Sequence, residues 1–260
     1  MAEVGPATGP TFHDHFSGHA GVYRDFRPHY PAALYEAIAE RSPATIAVWD
    51  CACGNGQASI GLAEKFDTVY ATDASAQQIA EATPHPRIRY AVAPAEESGL
   101  PDQSVDAVLV AQALHWFDFE RFYDEIERVV RPGGLFVAVG YENAAITPEV
   151  DTIVHHLMRD ILGPYWPPES RYLHSRYRDV PRRFEEVEMP DLFMTTDWTL
   201  DLLMGYLSTW SSLQRYRKAE GEDPLPAIRA DLAKVWGDPA TPKKVTWHLV
   251  VLAGRVGTRR

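Results

Sequence analysis

Two acidic residues, Asp50 and Asp73, bracket the run Cys51-Ala52-Cys53-Gly54-Asn55-Gly56-Gln57. Glycines spaced by one residue on a turn let backbone approach a ligand with no Cβ in the way. The apolar residues 45–49 before the turn read as a buried strand, and residues 58–66 after it follow a helical period. A short second strand over residues 68–72 then delivers Asp73 at its tip, where a carboxylate accepts hydrogen bonds from ribose hydroxyls. The layout is that of a nucleoside site.

The type of nucleoside follows from two details. The dinucleotide fingerprint asks for a third glycine, and Ser59 stands at that position. A pyrophosphate also favours bare amides at a helix N-terminus, whereas Asp50 sets a carboxylate at the mouth of this turn. S-adenosylmethionine, with an ammonium and a sulfonium but no phosphate, gains from that charge. An NAD-type oxidoreductase is the disfavoured alternative, and a protein that holds the cofactor for a sensing or non-methylating role is another.

Composition narrows the rest. A chain of 260 residues fits one domain with an insertion, and its net charge of −11 disfavours a nucleic-acid partner, which needs a basic face. No run reaches membrane-spanning length, and residues 1–15 lack a charged-then-apolar leader. The only cysteines, Cys51 and Cys53, are too close for an easy disulfide and too few for a structural zinc. A cytoplasmic protein without a metal is expected. The pattern is compatible with a monomer or a homodimer.

The elements that position these residues alternate in type. A helix over residues 31–41 precedes the first strand, and further strands are expected at 87–92, 105–111 and 135–139. A helix over 120–130 is expected to stop at Arg131-Pro132-Gly133-Gly134. Asp50, Asp73, Ala95, Glu96 and Gln112 then lie at strand carboxyl ends, where ligands collect in open α/β sheets. A last strand near 245–256 is expected to close the sheet in antiparallel sense. The fold class is α/β: a Rossmann-like, doubly wound, mostly parallel seven-stranded sheet with a small helical and aromatic cap. The whole of 1–260 reads as a single domain, with its core at 31–146 plus 245–256 and its cap at about 147–240. Before the core, His13, His15 and His19 fall in an aromatic stretch that reads as a packed helix rather than a metal site.

The chain resembles the class I S-adenosylmethionine-dependent methyltransferases of the type 11 group, with its trans-aconitate methyltransferase-like members. The resemblance runs from Phe16 to Tyr141. It rests on the lead ending in Arg27-Pro28-His29-Tyr30-Pro31, the turn from Asp50 to Gln57, and Ala71-Thr72-Asp73-Ala74-Ser75. Ala95-Glu96, Leu100-Pro101-Asp102, the run Ala111-Gln112-Ala113-Leu114-His115-Trp116-Phe117 and Arg131-Pro132-Gly133-Gly134 complete it. The turn departs from the family at Ala52, where a glycine is usual, and only a slight change in backbone approach is expected. The resemblance implies that Gly54, Gly56 and Gln57 contact the methionine part of S-adenosylmethionine. It gives Asp50 the loop or the ammonium, Asp73 the ribose and Ala74 the adenine face. Ala95 and Glu96 take the adenine edge, Gln112 lines the cofactor, and Tyr23 and Arg27 close over the carboxylate. The demethylated product is S-adenosylhomocysteine.

The acceptor is a small molecule, and carboxylate O-methylation is the leading expectation. A carboxylate is ionised at neutral pH and needs no base, so catalysis falls mainly to positioning. His115 and Tyr23 are the candidates for a proton-transfer role, with a packed histidine as the competing reading of His115. His115, Trp116, Tyr165, Trp166, Arg171 and Trp210 are the candidate substrate residues, because aromatics mixed with arginines suit a planar acid.

Overall fold

The computed structural model describes residues 29–141 and 143–257. Tyr23, Arg27, His13, His15 and His19 lie outside the described residues. Eight strands form the sheet: β1 (Ala47–Cys51), β2 (Thr68–Asp73), β3 (Ile88–Val92), β4 (Val105–Ala111), β5 (Val130–Tyr141), β6 (Glu185–Glu186), β7 (Phe193–Trp198) and β8 (Lys243–Arg255). Their order is β3-β2-β1-β4-β5-β8-β6, with β7 also paired to β8. The pairings from β3 through β5 are parallel, and β8 runs antiparallel to β5, β6 and β7.

The expected seven strands become eight because two short strands share the outer side of β8. β6 is only two residues long. In β7, Met194 and Trp198 turn inward while Phe193, Thr195 and Asp197 face out, a half-buried alternation too brief to stand out in the sequence.

The central strands are buried on both faces, as parallel strands under helices must be. Val48 and Leu109 pack with helices α1 (Ala32–Arg41) and α2 (Gln57–Ala63) on one side. Trp49, Val108 and Val110 pack with Phe122 and Ile126 of the amphipathic α4 (Phe119–Val129) on the other. The short α3 (Ala76–Ala80) follows β2, its N-terminus capped by Ser75.

The helix stops as expected, at Val129 just before Arg131-Pro132-Gly133-Gly134, and the fifth strand starts earlier than expected, at Val130. Val105 pairs with Val130 and Ala107 with Leu135, so Arg131-Pro132-Gly133-Gly134 is bulged out of a strand that already began at Val130. The buried Asp106 carboxylate fixes this end: it pairs with Arg131 at 2.6 Å and accepts the amides of Ile46 and Ala47, both at 2.9 Å.

The cap comprises α5 (Pro148–His155), a π-helical continuation His156–Ile161, α6 (Arg171–His174), α7 (Leu200–Ser208), α8 (Ser211–Glu220) and α9 (Leu225–Trp236). Its interior is continuous with the α1–α2 side of the sheet, since Trp198, Tyr206, Trp210, Trp236 and Trp247 join the same apolar cluster as Val48 and Leu62. Among the described residues, no helix is long and apolar enough to cross a membrane.

Candidate functional site

β1 delivers the glycine turn, and the turn is held by β2. Its chain passes through the left-handed region at Ala52 (φ 55°), Gly54 (φ 57°) and Gly56 (φ 85°). The Cys53 amide donates to Thr72 O and the Gly54 amide to Asp73 Oδ2, both at 2.9 Å. The other Asp73 oxygen accepts the Ser75 amide at 2.8 Å. One carboxylate thus ties two strand-to-helix turns together.

Gly56 is needed for two reasons. Its φ is costly for any residue with a Cβ, and a Cβ there would come within 2.9 Å of the Tyr90 ring. Tyr90 stands on β3, bonded through its hydroxyl to Thr83 O at 3.0 Å. It walls the loop, and no motif pointed to it.

Asp50 is not at the mouth of the turn. It is the fourth residue of β1 and wholly buried, with Oδ2 accepting the Ser59 hydroxyl at 2.5 Å and Oδ1 left without a partner among the described residues. Burial raises its pKa to about 7; the Ser59 hydroxyl opposes that rise and the charge of Asp73 adds to it. Ser59, noted in the sequence only for not being glycine, is therefore the donor that satisfies half of this carboxylate. An orphaned, buried carboxylate oxygen beside a left-handed glycine turn fits a ligand that carries a cation and lacks phosphate.

The other residues expected at strand ends lie as follows. Ala74 is half-buried directly after Asp73, and Ala95 is buried beyond the end of β3. Glu96 accepts the Asp118 amide at 3.0 Å, linking that loop to the start of α4. Leu100 and Asp102 hold Arg128 of α4, by carbonyl and carboxylate, each at 2.7 Å. Gln112 follows β4 with φ 57°, an uncommon value for glutamine that marks strain at the crevice. Its side-chain amide donates to Tyr141 O at 2.9 Å, joining the ends of β4 and β5.

The candidate acceptor residues divide into groups. His115 and Trp116 sit on a single 3-10 turn after β4, rings 4.8 Å apart. His115 is buried, its Nδ1 lacks a partner among the described residues, and burial, helped by His174, lowers its pKa to about 4. Trp166 packs on Trp210 at 5.7 Å and meets the edge of His174 at 5.7 Å. From Trp210 a chain of ring contacts runs through Tyr206, Trp247 and Tyr141 to Tyr30. Arg171 and Tyr165 are placed apart from that chain. The Arg171 guanidinium lies over the Tyr172 ring and bonds its hydroxyl at 2.9 Å, while Tyr165 packs on Tyr216 and donates to Glu220.

Known proteins resemble this chain in sequence and fold. Residues 49–138 match the family model described as a methyltransferase domain. A protein of Dictyostelium discoideum assigned as a methyltransferase is 33% identical over 237 residues, spanning 89% of this chain and 90% of its own length. The structure of a type II methyltransferase assignment from Anaeromyxobacter dehalogenans superposes with a TM-score of 0.84 at 47% identity, over 88% of this chain and 98% of that one. An uncharacterized methyltransferase of Mycobacterium tuberculosis is 40% identical over 121 residues, 46% of this chain and 49% of its own.

Proposed function

The chain belongs to the class I S-adenosylmethionine-dependent methyltransferases, and from that premise we propose that it methylates a carboxylate oxygen of a small molecule, with catalysis mainly by positioning. Bound S-adenosylmethionine supplies an electrophilic methyl carbon on its sulfonium and is left as S-adenosylhomocysteine. In this reading Asp73, held at the tip of β2 between the Gly54 and Ser75 amides, takes the ribose hydroxyls. Asp50 faces the ammonium side through Oδ1, and ionises when that cation offsets its burial. Gly54, Gly56 and Gln57 supply the close backbone, Ala74, Ala95 and Glu96 the adenine side, and Gln112 the wall below. Tyr23 and Arg27 remain part of the proposal from the sequence.

The observation that carries the carboxylate is His115. An imidazole held neutral at about 4 is a poor proton acceptor for a phenol or an ammonium group at neutral pH. A carboxylate has no proton to lose, so the crevice needs only to align it and exclude water.

Calorimetry with S-adenosylmethionine, S-adenosylhomocysteine and NAD tests the cofactor half, with binding of the first two and none of the third expected. Asp73→Ala is expected to cost about 1–3 kcal/mol of that binding. Unchanged affinity would put the ribose elsewhere. For the acceptor, S-adenosylhomocysteine release is measured across carboxylic acids, phenols, amines and thiols; turnover of phenols or amines without carboxylates would sink the carboxylate reading.

A further inference from the structure

A cavity of about 300 Å³ opens at the end of the sheet away from the crevice. Arg182, Arg183 and Arg255 line it together with Glu127, Glu185 and Phe184. Arg255 stands opposite Leu135 in the β5–β8 pair, whereas Tyr141, whose carbonyl holds Gln112, stands opposite Leu249. From Leu135 to Tyr141 strand β5 covers about 20 Å, so the cavity and the crevice are separate places.

The walls of this cavity are fastened on two sides. The Tyr123 hydroxyl of α4 donates to Pro181 O at 2.9 Å. Arg183 donates to both oxygens of Glu127, at 3.0 and 2.8 Å, and pairs with Asp124 at 2.6 Å. The Phe184 ring meets Tyr123 and Phe136 edge-on at 5.3 and 5.8 Å. Glu185 and Glu186 then pair with Arg255 and Gly254 of β8. A segment pinned in this way has little freedom left to lose on binding.

The lining has three guanidiniums to two carboxylates, in a chain whose net charge is −11. Arg183 is matched by Glu127 and Asp124, but Arg182 and Arg255 are in no ion pair among the described residues. Arg255 is half-buried, and its Nη1 donates to Arg41 O at 2.6 Å and Gly133 O at 3.1 Å. Arg182 gives only Nη2, to Tyr177 O at 3.2 Å. The other N–H groups of both guanidiniums donate to no protein group among the described residues. A guanidinium fork matches the two oxygens of a carboxylate, and Phe184 lays an apolar surface beside it.

We propose that this cavity is a second ligand site, which takes a small aromatic carboxylate remote from the cofactor crevice. Arg255 and Arg182 hold the carboxylate, and the ring of the ligand packs on Phe184. Inorganic phosphate would meet the guanidiniums but leave the Phe184 surface uncovered.

The test is calorimetry of the full chain with benzoate, its neutral match benzamide, and inorganic phosphate. Benzoate is expected to bind about tenfold or more tighter than either of the others. Arg182→Ala and Arg255→Gln should each cut benzoate affinity about tenfold and leave benzamide affinity nearly unchanged, whereas Arg255→Lys should keep part of it. Phe184→Leu should weaken benzoate and benzamide alike. Arg182 is exposed and holds a single carbonyl, so its variant decides the matter should Arg255→Gln not fold. Benzoate bound in the crevice instead would keep its affinity in Arg182→Ala, and that result overturns the proposal. So would an equal loss for benzamide, phosphate binding tighter than benzoate, or no binding of benzoate at all.

Discussion

Around the glycine turn the chain is held by amides and a hydroxyl donating to carboxylate oxygens, whereas in the cap it is held by rings in contact with rings. Asp73 accepts from Gly54 and Ser75, and Asp50 from Ser59, all at 2.5–2.9 Å. In the cap, Trp166, Trp210 and Tyr206 run by ring contacts to Trp247 of β8. Hydrogen bonds fix direction as well as distance, which suits a cofactor with one shape. Ring packing fixes volume more than direction and tolerates exchange of residues. On the proposed assignment, the half that binds the cofactor is built from directional contacts and the half that takes the acceptor from shape.

The largest effect expected from dividing the molecule this way is in the cap. Trp210→Ala removes a buried indole and should cost about 3–5 kcal/mol in urea denaturation. At a temperature where the variant is folded, its affinity for S-adenosylhomocysteine should stay close to that of the parent. A parallel loss of cofactor affinity would show that the halves are not separable.

Next in size are two opposed pH dependences, one from each half. Asp50 is raised to about 7 from an ordinary 3.8, so its contribution to stability is complete below pH 3.8 and lost as pH rises toward 7. His115 is lowered to about 4 from 6.5, so its contribution is complete above pH 6.5 and lost as pH falls toward 4. Between these limits the two slopes oppose each other in the parent protein. Relative to it, Asp50→Asn should make stability rise with pH over that window, and His115→Gln should make it fall, each by on the order of 3 kcal/mol. Denaturation curves at several pH values check this, and the same slope in both variants would refute it.

The smallest effect sharpens the account of the turn. Ala52 holds φ 55°, a conformation that costs a residue with a Cβ about 1 kcal/mol or more, so Ala52→Gly should stabilise the fold by about 1 kcal/mol. A destabilised variant would mean that the Ala52 methyl has a packing role larger than its strain.

The sequence reading succeeded where local pattern decides the outcome. β4 was expected at 105–111 and forms at Val105–Ala111, because every residue up to Val110 is buried, on one face or the other. β1 slid by two residues: the expected strand at 45–49 is found at Ala47–Cys51, since the Asp106 carboxylate captures the amides of Ile46 and Ala47 from sixty residues away. That capture puts Asp50 inside the strand instead of at its mouth. The stop at Arg131–Gly134 does end α4, at Val129, but proline and glycine signal only the break and say nothing of a strand that already starts at Val130 and resumes in register at Leu135. Tyr90 carries no signal in the sequence, and Ser59 signals only that it is not glycine, for a common reason: each matters through the geometry of a partner, Gly56 or Asp50, that spacing does not encode. The alanine at position 52 was visible as a departure, but its left-handed backbone was not.

β8 has one more consequence, and it concerns synthesis. Its residues 249–255 pair with 135–141, more than a hundred positions earlier, and the same strand also carries β6 and β7. During translation the first five strands emerge with the outer edge of β5 bare, and that edge stays open while the entire cap is made. Pairing at such separation is slow once it becomes possible. A ribosome paused before residue 243 therefore presents the parallel part of the sheet with an unpaired hydrophobic strand at its side, an edge open to pairing with another chain.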